Sequence, residues 1–161
     1  MASPDVELAN AIVADINSAD RSWSQFLEAE RTWVPLWIGK DQLSDLQCIV
    51  NPWPVVEVEP ESRDFTLSHY SIDFGFAKRL DDKTEKEIDD LRQLVDSVYR
   101  RYVVTNFTVA NIGVFIPLRR LDEYITYDPS RIQNNKDGNQ TYYTGDFLSI
   151  FRIPYRLQES Y

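Results

Sequence analysis

Cysteine, histidine and glycine are scarce in this chain, and so is positive charge. The single cysteine, Cys48, excludes an intramolecular disulfide and gives no sign of secretion. It stands in the apolar run Leu46-Gln47-Cys48-Ile49-Val50 and reads as a small core hydrophobe rather than a nucleophile. One cysteine and one histidine, His69, are too few ligands for a zinc site. His69 falls in a strand-like run, and no Gly-x-Ser-x-Gly turn accompanies it to build a serine triad. The five glycines form no phosphate-cradling loop. Asp137-Gly138-Asn139 lacks calcium-loop spacing and reads as a turn. No apolar run approaches the roughly 20 residues that span a bilayer. The opening Met1-Ala2-Ser3-Pro4-Asp5 has no signal-peptide pattern, so synthesis in the cytoplasm is expected. Lysine and arginine number 17 against 26 acidic residues, a net charge of −9. That balance argues against a general nucleic-acid binder, which needs a basic face. It fits either simple solubility or an acidic bore past which a duplex slides without sticking.

What is present is an ordinary globular chain. Its 161 residues suit one domain and can bury about 70% of their unfolded surface. Aromatics make up 13%, enough for a heavily packed core or an interface. Residues 3 to 17 read as a helix capped by Ser3, with Pro4 in its first turn and Val6, Ala9, Ile12, Val13 and Ile16 on one face. A strand is expected over 25–37, a buried strand over 46–50, and a possible continuation through Val55, Val56 and Val58. The alternation of Tyr70, Ile72, Phe74 and Phe76 with smaller or polar residues predicts a strand over 65–79. Thr84-Glu85-Lys86-Glu87 is a capping box opening a helix to 102, with Ile88, Leu91, Val95, Val98 and Tyr102 at helical spacing. The acidic pairs Asp81-Asp82 and Asp89-Asp90 read as helix-start charge rather than acid–base partners. Strand character returns over 104–119 and 147–156, with Pro154 marking an edge. The polar stretch 128–146 reads as a long loop or insertion. Two helices against a mostly antiparallel sheet make a single α+β domain over 1–161.

The order of these pieces resembles the tail terminator proteins of long-tailed bacteriophages, also called minor tail or tail completion proteins. The resemblance runs from residue 5 to 156. It rests on the opening helix Val6 to Ile16 ending in Asn17-Ser18-Ala19, and on Ala29-Glu30-Arg31 followed by Trp33 and Pro35. It continues through Leu43-Ser44-Asp45-Leu46 into Cys48-Ile49-Val50-Asn51-Pro52. Arg63 then precedes the long strand Ile72-Asp73-Phe74-Gly75-Phe76, which runs into Ala77-Lys78-Arg79. The helix Glu87-Ile88-Asp89-Asp90-Leu91 to Val98 and the closing strand Phe147 to Arg156 complete it. The resemblance implies a virion protein that assembles as a ring, typically of six copies, at the head-proximal end of the tail tube. Such a ring stops tube growth and meets the head connector, and viral DNA passes through its bore.

The partners implied are therefore further copies of the chain, the tube protein and the connector, with no membrane. No catalytic residue, cofactor or metal is expected. Candidate interface residues are Trp33, Trp37, Arg63, Asp137, Asn139, Tyr142, Tyr143 and Pro154. Alternative readings are another neck or head–tail joining protein, and a small-ligand-binding domain built around Trp33, Trp37 or Trp53.

Overall fold

The computed structural model describes residues 3–32, 45–52, 57–60, 66–81, 84–118 and 126–159. Helix α1 spans Pro4–Ile16, with Asp5 and Glu7 at the positive end of its dipole. Val6, Leu8, Ala9, Ile12 and Ile16 are buried. Ser3 holds the N-cap position without a side-chain capping bond; its carbonyl accepts from the Glu7 N–H instead, at 3.1 Å. Helix α2 spans Glu85–Tyr102 and starts as its sequence predicts, with Thr84 Oγ1 accepting from the Glu87 N–H at 3.3 Å. Arg100 and Arg101 close its negative end. Leu91, Leu94, Val95, Val98 and Tyr102 form its buried stripe.

The described residues hold nine strands, in chain order: β1 (Ala29–Arg31), β2 (Gln47–Pro52), β3 (Glu57–Pro60), β4 (Thr66–Arg79), β5 (Phe107–Val109), β6 (Gly113–Pro117), β7 (Thr126–Tyr127), β8 (Ile132–Asp137) and β9 (Gln140–Glu159). The main sheet runs β1-β2-β4-β9-β6-β5. Among the described residues only β1 and β2 pair in parallel, so the expected α+β class with a mostly antiparallel sheet is present. The sheet curls enough for both its outer strands, β1 and β5, to reach α1.

Strand alternation decides what the core receives. Phe74 pairs with Phe151, Ile72 with Ile153 and Tyr70 with Tyr155, and these side chains share the face that both helices cover. Phe74 stacks on Phe151 at 4.7 Å and on Tyr102 of α2 at 5.6 Å, while Tyr99 meets Phe151 edge-on at 5.3 Å. The aromatic surplus therefore fills the core to a large degree.

The β character expected over 104–119 is present, as two strands joined by a tight turn where Asn111 takes a φ of 65°. Three expectations need correction. The strand expected over 25–37 is Ala29–Arg31 among the described residues, and its later part lies outside them. The 128–146 stretch is not a loop. After one 3-10 turn at Pro129–Arg131 it folds into β8 and the start of β9. Its polarity hid the β-formers Thr141, Tyr142, Tyr143 and Thr144. Finally, Pro154 is buried mid-sheet rather than at an edge. It lies opposite Ser71 of β4, and its carbonyl accepts from Leu118 N at 2.8 Å. A residue in an antiparallel ladder directs its N–H and C=O to the same neighbour. The missing N–H of Pro154 therefore points to where β6 ends at Pro117, and only one ladder bond is forgone.

Candidate interaction surface

The β8–β9 hairpin is a projecting arm. The β4–β9 ladder ends at Arg79 opposite Asp146, whereas β8 pairs with residues 140–145, beyond that end. No third strand flanks the arm among the described residues. Gly138 takes a φ of 62° and begins a two-residue turn with Asn139, a geometry that a β-carbon opposes. Asn135 Nδ2 donates to Thr144 Oγ1 across the strands at 3.1 Å. Residues 136–141, around the tip, are all exposed.

The root of the arm is fixed by Gly145. Its φ is 114°, and a β-carbon there would collide with the Arg131 carbonyl oxygen. Its own carbonyl accepts from Leu80 N at 3.0 Å, which ties the arm to the end of β4. Ile132 and Tyr143 pack against the core cluster from the arm's base. The arm thus has a rigid base and a solvated, polar tip.

The sequence candidates divide accordingly. Asp137, Asn139, Tyr142 and Tyr143 come together on the arm, Tyr143 at its packed base and Asp137 and Asn139 at its tip. Trp33, Trp37, Arg63 and Trp53 lie outside the described residues. Pro154, being buried, offers no surface to a neighbour. Sequence reasoning missed Phe26, which is 83% exposed although it was assigned to a strand. Its polar neighbours Ser24, Gln25 and Glu28 were the available signal, with Ser24 a turn former and Glu28 a residue that stays in solvent.

The ionisable groups are mostly tied into structural pairs. Asp15, near the end of α1, accepts from Arg21 Nη2 at 3.0 Å, Arg101 Nε at 3.0 Å and the Tyr102 hydroxyl at 2.7 Å. Burial opposes its charge, but these donors outweigh it and hold the carboxyl below its usual pKa. Asp73 is buried on the sheet face away from the helices, where Arg152 directly opposite grips it at 2.6 and 3.2 Å. Glu87, also buried, accepts from Asp81 N at 2.7 Å, and Lys78 lies between Asp81 and Glu87 at 3.0 and 3.4 Å. Asp90 pairs with Lys86 at 3.2 Å. A polar cleft of about 430 Å³ opens beside these lysines, lined also by Ser24 and Gln25.

Cys48 and His69 do not meet. The register sets Cys48 beside Phe76, seven residues along β4 from His69 and on the opposite face, roughly 23 Å away at ~3.3 Å per residue. Cys48 is also fully buried, and desolvation pushes its thiol pKa upward, away from the reactive thiolate. Among the described residues no group of three or more His, Cys, Asp or Glu could hold a metal ion. No helix there is long and apolar enough to cross a membrane.

Comparison with known proteins finds no matching family model and no similar curated protein.

Proposed function

We propose that the chain is a phage tail terminator, a structural virion protein that assembles as a ring on the head-proximal end of the tail tube. The observation that carries this reading is the projecting arm of residues 132–145. An isolated two-stranded hairpin is marginally stable in water, and a polar one has little reason to project unless a neighbour covers it. A head-to-tail contact that closes by rotation gives a ring with two unlike faces. One face matches the last tube ring and the other the connector. Growth stops because the outer face does not copy the tube's own surface. The excess of acidic residues supports a bore that repels phosphate.

The test is to measure the particle mass in solution with and without tail tube protein, and to image the product. The expected result is a ring with a central hole that caps tubes and arrests their growth. A ring that binds the connector but leaves tubes growing assigns the chain to a neighbouring neck position. A strictly monomeric protein that leaves tubes uncapped refutes assembly.

A further inference from the structure

Phe26 is a large apolar side chain held out in solvent, 83% exposed. It follows Ser24 and Gln25, which line the polar cleft together with Lys86, Asp90 and Gln93 of α2. The other flank of α2 bears a second depression of about 350 Å³. Ile88 and Arg92 form one wall, and Asp128, Pro129, Ile132, Phe147 and Leu148 the others. At ~100° per residue, positions 88 and 92 point roughly half a turn away from 86, 90 and 93. One molecule therefore carries a knob on one side of α2 and a largely apolar socket on the other. A knob and a socket set apart on one copy can engage head to tail, each copy's knob entering the next copy's socket.

We propose that Phe26 of one copy seats in the groove between α2 and the base of the arm on the next copy. This rests on the assembly reading above and names the contact that builds the ring. Charge favours it: Glu28 and Glu30 are exposed close to the knob in sequence, whereas at the socket Arg92 and Arg131 outnumber the one acid, Asp128, which pairs with Arg131 at 3.7 Å. The groove is also continuous with the arm, because Ile132 is both a wall of the socket and the first residue of β8. A single ring cannot hold two proteins together against the cost of association, so Phe26 acts as an anchor within a wider contact that includes the arm.

Disulfide trapping tests this. The chain carrying both Phe26→Cys and Pro129→Cys cannot close a bond within one molecule, since the two sites flank opposite sides of α2 and a disulfide needs Cα atoms within about 7 Å. Cys48 is buried and stays silent. On mild oxidation the double variant should give a ladder of covalent multimers ending at the ring size, and each single variant should stay uncrosslinked. In sedimentation Phe26→Ser should weaken association about ten- to hundredfold, with the melting temperature unchanged because the side chain is exposed. A dimer trapped by Phe26→Cys alone, or a ring that forms without a ladder and tolerates Phe26→Ser, overturns the knob and socket while leaving assembly standing. A chain that stays monomeric even with tube protein present overturns both.

Discussion

Asp15 is the residue on which the two helices depend most directly. It joins the end of α1 to Arg101 and Tyr102 at the end of α2, and to Arg21 in the segment between α1 and β1. Asp15→Asn keeps the shape and removes the charge, so it should cost about 1–3 kcal/mol in urea denaturation. The pH dependence follows from the lowered pKa. The stability from Asp15 is complete above the carboxyl's unfolded pKa and is lost as pH falls through the depressed folded one. The acid limb of a stability–pH curve should therefore be shallower in Asp15→Asn than in the parent. Ser149 poses the opposite case. It is buried on the core face opposite Phe76, and its hydroxyl has no hydrogen-bond partner among the described residues. Ser149→Ala removes an unpaired polar atom and should raise stability by up to about 1 kcal/mol, read as a higher melting temperature.

The arm and its root show how an element can depend on one residue. Gly145 and Gly138 both take positive φ, but only Gly145 has backbone where a β-carbon would go. Gly138→Ala should cost about 1 kcal/mol, the ordinary penalty for a left-handed residue. Gly145→Ala carries that penalty and must also displace Arg131, so it should cost at least twice as much. Hydrogen exchange should show the extra loss as faster exchange along β8 and residues 140–145. Gly138's turn is legible in Asp137-Gly138-Asn139, whereas the role of Gly145 could not be read from the chain, because it is set by φ and by a backbone neighbour. The long helix and strand were legible for the converse reason. Leu91 to Tyr102 and Tyr70 to Phe76 each repeat at the period of their own element, and that period survives any tertiary setting. The arm was misread because its pairing partner, rather than its hydrophobicity, makes it a strand.

For the whole molecule, the central question is whether the arm serves the fold or the assembly. Replacing residues 135–142 with Asn-Gly keeps the pairing of Asn134 with Tyr143 and closes it with a two-residue turn. Ile132 and Tyr143 still pack at the base. The shortened chain should melt within a few degrees of the parent, since the removed residues bury little. It should lose ring formation and tube capping in the mass and imaging assays. If it assembles normally, the arm is not the carrier of the proposed function. By itself the sequence determined the class of fold: two amphipathic helices and strands of alternating aromatics have one economical solution, a shared core between helix layer and sheet. It also determined that the chain holds one cysteine and one histidine, because residue types are countable before folding. Only the tertiary structure decided that Pro154 lies mid-sheet, that polar residues 132–145 form an arm, and that Phe26 stands out in solvent. The first two facts turn on which strand lies beside which, and long-range pairing of that kind leaves no periodic trace in a single chain.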